Sequence, residues 1–174
     1  MFKRLCNFFD GISHDIRLLN IKKSAIFSLV FLLLGVFSWI IGGRTDRVTI
    51  FYIFPRLALP TGIAFFMWAI SFLLCGFLFA AVLCGCEKYK RHRAQKTAIL
   101  ICLMFLFTLC VYPLFFGAMS PILTFFVLLI ALLFCFFAII SAIKLYSLWT
   151  IMLSVHFIWL LYNAFLALAF AFVN

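Results

Sequence analysis

Chemistry in a protein needs ionisable, nucleophilic or metal-ligating side chains at workable spacing, and this chain offers few. Its carboxylates are Asp10, Asp15, Asp46 and Glu87, all outside the long apolar runs. Paired-carboxylate catalysis, intramembrane zinc hydrolysis and proton relays each need ionisable groups at depth, and the runs contain one, His156. The densest cysteine cluster is Cys84-Gly-Cys86, followed by His92. A tetrahedral metal site there would need more ligands than two thiolates and one imidazole, and the reading assigns small apolar residues at a helix end, open to acylation. The seven cysteines are odd in number and scattered, so they make no disulfide framework. Gly42-Gly43 closes an apolar run and does not open a helix after a strand, so it is no phosphate cradle. No catalytic residue and no metal ligand is assigned.

The remaining constellations are polar and aromatic. Near the carboxyl end, Trp149, His156 and Asn163 recur every seven residues, with Trp159 three after His156 and four before Asn163, so all four share one helical face. A His and an Asn in hydrocarbon need a partner, and two readings stand side by side: an interhelical hydrogen bond or contact with a ligand. Thr108 and Tyr112 are one turn apart and precede Pro113, which cannot donate a backbone hydrogen bond and should kink its helix. Trp68 and Phe72 are likewise one turn apart, after Pro60. These groups point either to an outward-opening pocket or to aromatic packing alone.

The elements that carry them are set by composition. Of 174 residues, 69% are apolar and 10% charged, with 26 Phe and a mean hydropathy of +1.32. A soluble chain of this size leaves roughly a third of its unfolded surface exposed and could not hide so much apolar area, so the solvent is largely lipid. Barrel strands would alternate in polarity over about ten residues, and these runs do not. Five runs reach the length of about 20 residues that a helical span needs: residues 25–43, 61–84, 97–117, 121–143 and 148–173. The expectation is one all-α membrane domain, a five-helix transmembrane bundle over residues 25–174 with no internal repeat.

Lysine and arginine set its expected orientation. Lys3, Arg4, Arg17, Lys22 and Lys23 precede the first span, Lys88, Lys90, Arg91, Arg93 and Lys96 lie between the second and third, and Lys144 lies between the fourth and fifth. The opposite side holds Arg44, Arg47 and Arg56, so the amino terminus is expected in the cytoplasm and the carboxyl terminus outside, in the plasma membrane. Within residues 1–24, Phe2, Leu5, Phe8, Phe9, Ile12, Ile16 and Leu19 recur at helical spacing, which predicts an interfacial amphipathic helix. A cleaved signal peptide fits less well, because the apolar run after Lys23 is too long and lacks a small-x-small site. The basic segment Lys88 to Arg93 is too short for a nucleic-acid reader and is read as a contact for anionic membrane lipid.

The string Tyr112-Pro-Leu-Phe-Phe-Gly117 resembles the Trp-Ser-Pro-Leu-Phe-Phe-Gly signature that closes the third helix of the translocator protein family, the tryptophan-rich sensory or TspO/MBR proteins. The stretch from Phe54 to Gly76 is similar to that family's proline segment at Pro55, Pro60, Trp68 and Gly76. The last span is similar at Trp159, Ala164, Leu166 and Asn174. The likeness runs over about residues 25–174 without a change of spacing between Pro113, Trp159 and Asn174. The chain departs from the pattern at Leu57, Thr108, Val111, Val155-His156 and Ala167, and much of the tryptophan richness is missing.

The resemblance implies a ligand-binding protein; porphyrin chemistry of the kind attributed to pocket tryptophans in some members, with Trp159 the clearest match, stays open. Its ligand would be flat and hydrophobic, a tetrapyrrole such as porphyrin or haem, or a sterol, held in an outward-facing cavity capped by the loop from Arg44 to Pro60. The candidate ligand-binding set joins the positions of the resemblance, Trp68, Trp159 and Leu166, to the residues read from spacing and shared helical faces: Met67, Trp68, Phe72, Tyr112, His156, Trp159, Asn163 and Leu166. No metal or covalent cofactor is implied. Family members commonly pair through the third helix; this one, Ala98 to Cys110, is poor in small residues, so a weak or rearranged homodimer is expected. Two other classes of function stay open: a small transporter subunit, which should show broken helices at mid-membrane, and an adaptor acting through its cytoplasmic basic loop.

Overall fold

The computed structural model describes residues 20–43, 52–53, 55, 58–84, 91–143, 145 and 147–174. These are almost entirely helical, with no strand among them. Five helices follow in order: α1 (Ile21–Gly42), α2 (Thr61–Cys84), α3 (Arg91–Leu109, continued by a π-helical turn over Pro113–Gly117), α4 (Pro121–Ile143) and α5 (Ser147–Val173). All five are long and apolar enough to cross a membrane, and the chain is a multi-pass integral membrane protein. The predicted interfacial helix of residues 1–24 falls mostly outside the described residues, as does most of the Arg44 to Pro60 loop.

Two helix starts lie earlier than the apolar runs foretell. α1 begins at Ile21, because the Asn20 side chain accepts a hydrogen bond from the backbone N–H of Lys23 at 3.2 Å and caps the first turn. Lys22 and Lys23 are therefore helical and exposed. α3 begins at Arg91, inside the stretch read as a basic loop. Its first two turns expose Arg91, His92, Arg93 and Lys96 and bury Ala94, Thr97 and Ala98. Hydropathy ends where charge begins, whereas a helix continues as long as its backbone bonds do, and Arg, Lys and Gln are good helix formers.

The helices form a ring in the order α1, α2, α5, α4, α3, with α2 also packed on α3. Lipid tails are as apolar as Leu, so packing here rests on close approach between small residues. α4 turns Ala131, Cys135, Ala138 and Ala142 inward, all fully buried. At Gly76 on α2 the approach to α1 is closest: a Cβ there would meet the Phe27 carbonyl oxygen at 2.5 Å and the Ser28 Cα at 2.6 Å. Large side chains go outward, including Leu33 and Phe37 on α1 and Phe126 and Phe136 on α4. Between α3 and α4, Thr97 and Ser141 share a hydroxyl bond at 2.6 Å.

Pro113 breaks α3 as its ring chemistry requires. It has no N–H for the Leu109 carbonyl four residues back, and the chain turns at Cys110 and then widens to a π turn in which the Ala118 N–H reaches the Pro113 carbonyl at 2.8 Å. The freed Leu109 carbonyl accepts a hydrogen bond from the Ser38 hydroxyl of α1. Backbones close up beside it: a Cβ on Gly42 would lie 2.8 Å from the Tyr112 carbonyl oxygen, and one on Gly117 would lie 3.3 Å from the Gly42 carbonyl oxygen. In the turn into α4, positive φ falls on Met119 at 48°, so Gly117 serves the close approach rather than the turn.

Candidate functional site: an aromatic cavity at one end of the bundle

Beside the π turn, at this end of the bundle, the helices enclose a cavity. Its volume is about 120 Å³. α1 contributes Trp39, α2 contributes Phe65 and Trp68, the π turn region contributes Tyr112, Phe115 and Phe116, and α5 contributes Trp159, Tyr162 and Phe170. Thr124 and Leu128 of α4 and Ala58 and Leu59 before α2 complete much of the rest.

The aromatic wall is continuous. The Trp68 ring centroid lies 5.7 Å from Tyr112 and 5.9 Å from Trp159, the latter edge to face. Trp159 stacks on Tyr162 at 5.5 Å, and Tyr112 stacks on Phe116 at 5.6 Å. Trp39 meets Phe65 edge on at 5.5 Å. Such geometries suit the ring quadrupoles and hold the rings in place with few polar atoms. Polar groups on the wall are largely engaged: Thr124 donates to the Ser120 carbonyl at 2.9 Å, and the Asn163 amide donates to the Trp159 carbonyl at 2.7 Å. The Nε1 of Trp159 is buried and has no hydrogen-bond acceptor among the described residues.

Residues 52–53 of the first loop pack beside two of the lining residues, Phe115 and Phe170. The Tyr52 ring lies 6.4 Å from Phe115 and 6.0 Å from Phe170, and its hydroxyl donates to the Met119 carbonyl at 2.6 Å. Next to it, the Ile53 N–H donates to Asn174 Oδ1 at 2.7 Å, and Asn174 Nδ2 donates back to the Ile53 carbonyl at 3.2 Å. The side-chain amide of Asn174 thus pairs with the backbone as a neighbouring strand would.

Of the eight residues singled out in the sequence, Trp68, Tyr112, Trp159, Asn163 and Leu166 line this cavity. Phe72 lies one turn deeper, 5.7 Å from Phe105, and borders a smaller adjoining space with Trp39, Trp68 and Tyr112. Its ring rests on Gly35, where a side chain would overlap it. Met67 points to the outer face of α2 and is not among the lining residues.

His156 also stands apart from the cavity lining. It is buried between α5 and α2, with Nδ1 3.2 Å from the Ser71 hydroxyl and Nε2 3.5 Å from the Cys75 sulfur. A neutral imidazole has one donor and one acceptor nitrogen, and a hydroxyl or thiol can answer either, so both ring nitrogens are satisfied within the bundle. The interhelical reading therefore describes His156. Trp149, on the same face, is buried toward the other end, 5.8 Å from Phe77.

Six aromatic lining residues, Trp39, Phe65, Phe115, Phe116, Tyr162 and Phe170, lie outside the set singled out in the sequence. Tyr162 and Phe170 follow Trp159 by three and eleven residues, the same helical face, so their signal was present. Phe115 and Phe116 lie inside the motif that carried the resemblance. Trp39 had no such mark, since nothing in α1 alone says which neighbour it meets.

For metal chemistry, no group of three His, Cys, Asp or Glu side chains comes together among the described residues, and Cys86 lies outside them. The free thiols include Cys75 and Cys135 within the bundle and Cys110 on its surface. Comparison with family models, curated proteins and solved structures returns no match for this chain.

Proposed function

We propose that this membrane protein binds a flat hydrophobic ligand, a tetrapyrrole or a sterol, in the aromatic cavity, and senses it or passes it on. The observation that carries the reading is the convergence of Trp39, Trp68, Tyr112, Trp159 and Tyr162 from four elements onto one space. A ligand seated there gains mainly from ring stacking and from area removed from water, at about 25 cal/mol per Å². The resemblance to the translocator protein family at Pro113, Trp159 and Asn174 supports the same reading. In the orientation expected from the basic residues, the end of the bundle that holds the cavity faces the outer side of the plasma membrane, and any homodimer is weak.

The test is titration of the purified protein with protoporphyrin, haem and cholesterol, followed by quenching of tryptophan emission for the two tetrapyrroles and by displacement of a fluorescent sterol for cholesterol. Saturable, stoichiometric binding of at least one class is expected. Linear, non-saturating partition of all three, equal to that of empty detergent micelles, would overturn the reading.

A further inference from the structure

We infer that the ligand enters and leaves the aromatic cavity sideways, from the bilayer, through the seam between α1 and α2, and that the ring pair Trp39 and Phe65 is its gate; the inference rests on the binding role proposed above. Size requires that some part of the wall give way. At about 120 Å³ the cavity is smaller than the roughly 150 Å³ that encloses a benzene in an engineered protein core, and a tetrapyrrole or a sterol carries several such rings. The seam changes character along its length. At Gly76 backbone meets backbone, since a Cβ there would touch the Phe27 carbonyl oxygen at 2.5 Å. At Gly35 the Phe72 ring lies against the backbone. Nearest the cavity, ring meets ring: Trp39 and Phe65 stand edge on at 5.5 Å. Opening a backbone contact means moving a helix, whereas an exposed side chain changes rotamer within nanoseconds.

Trp39 and Phe65 stand where a gate must. Both line the cavity, and both, with Trp68 and Tyr112, line the smaller space beside it. Leu32 and Val36 of α1 and Ala69 of α2 also line that space and are only half-buried, so it reaches the surface of the bundle. Leu33, Phe37 and Phe66 are exposed around it, and a surface so apolar on membrane-spanning helices faces lipid. An apolar ligand concentrates in the bilayer rather than in water, so it arrives on this side. The other wall rings are held more firmly. Trp68 and Tyr112 are buried, and Trp159 stacks on Tyr162. Phe65, by contrast, is 43% exposed, and its ring contact among the described residues is with Trp39. At the end of the bundle, Tyr52 and Ile53 are fastened by hydrogen bonds to Met119 and Asn174.

The experiment follows binding kinetics by stopped flow, with the full-length protein in lipid vesicles. Protoporphyrin and haem are read by quenching of tryptophan emission, and dehydroergosterol by energy transfer from tryptophan. For whichever probe binds, Phe65→Ala should raise the association and the dissociation rate together, each by at least about tenfold, while the affinity changes far less. Phe65→Leu keeps an apolar side chain and should raise both rates by a smaller factor. Since Phe65 is 43% exposed, neither variant empties the core. Tyr52→Phe and Asn174→Ala, which loosen residues 52–53, should leave both rates as in the parent. An unchanged association rate in Phe65→Ala overturns the gate, and if dissociation alone quickens, Phe65 is an ordinary contact of the bound ligand. Acceleration by Tyr52→Phe or Asn174→Ala, with none by Phe65→Ala, places the entrance at the end of the bundle and overturns the lateral route. Each of these results leaves the binding role standing. Probes that only partition, without saturating, remove the binding role and this inference with it.

Discussion

The Ser38 hydroxyl of α1 donates to the carbonyl of Leu109 on α3, the one acceptor that Pro113 deprives of its helical N–H. A proline kink in lipid must have its freed carbonyl answered from somewhere, and here a second helix answers it. The same pair sets the spacing between α1 and the π turn from which Tyr112, Phe115 and Phe116 face the cavity.

Ser38→Ala should therefore destabilise the bundle by about 0.5 to 1.5 kcal/mol, the range for an interhelical hydrogen bond in a membrane protein. Pro113→Ala restores an N–H for Leu109, so the cost of Ser38→Ala should shrink in that background. Equilibrium unfolding in mixed micelles, run as a double-mutant cycle, measures the coupling. Additive effects would show that the two residues are energetically independent.

Gly76→Ala should cost about 1 to 3 kcal/mol, because its Cβ would come within 2.5 Å of the Phe27 backbone oxygen and neither backbone can yield without moving a helix. Gly62, where a Cβ meets nothing within 4 Å, is the control, and Gly62→Ala should be neutral or slightly stabilising. The same unfolding assay separates them.

Asn174 should hold Ile53 in place. Asn174→Ala removes both bonds to Ile53, and amide exchange at Ile53 should accelerate while the helices keep their protection. Asn174→Asp keeps an acceptor for the Ile53 N–H but loses the donor to its carbonyl, so its exchange rate should fall between those of the parent and the alanine variant.

Trp159→Ala and Trp68→Ala should each weaken porphyrin or sterol binding by at least about tenfold, equivalent to about 1.4 kcal/mol. Both residues also pack the bundle, so thermal unfolding must be followed alongside the titrations. His156→Ala is the contrasting case: His156 does not line the cavity, so stability should fall further than affinity.

A topology reporter fused after Asn174 should be found outside the membrane and one inserted in the segment 86–94 inside, as the basic residues require. Accessibility of the two fusions to an impermeant label checks this directly. Two labels on the same side would be incompatible with three spans between the sites.

The spans were legible in the sequence because lipid leaves a chain little choice. Each backbone group must be satisfied within its own segment, and twenty or so apolar residues between charges can do that only as a helix. The α2 and α4 helices accordingly cover the apolar runs 61–84 and 121–143. Pro113 announced its own kink, and the face shared by His156, Trp159 and Asn163 announced an inward side of α5. Depth and partner were not legible. Residues on one helical face can still lie in different layers of a bundle, and three residues, about 4.5 Å of rise, are enough to place His156 among Ser71 and Cys75 while Trp159 lines the cavity. Which helix answers Leu109, which aromatic side chains meet Trp68, and what Asn174 holds down depend on residues more than 40 positions apart in the chain. Periodicity carries no information across such distances, because it records only how each segment meets its surroundings. Only the packing of five helices, brought close by Gly76, Gly42 and the small residues of α4, decided them.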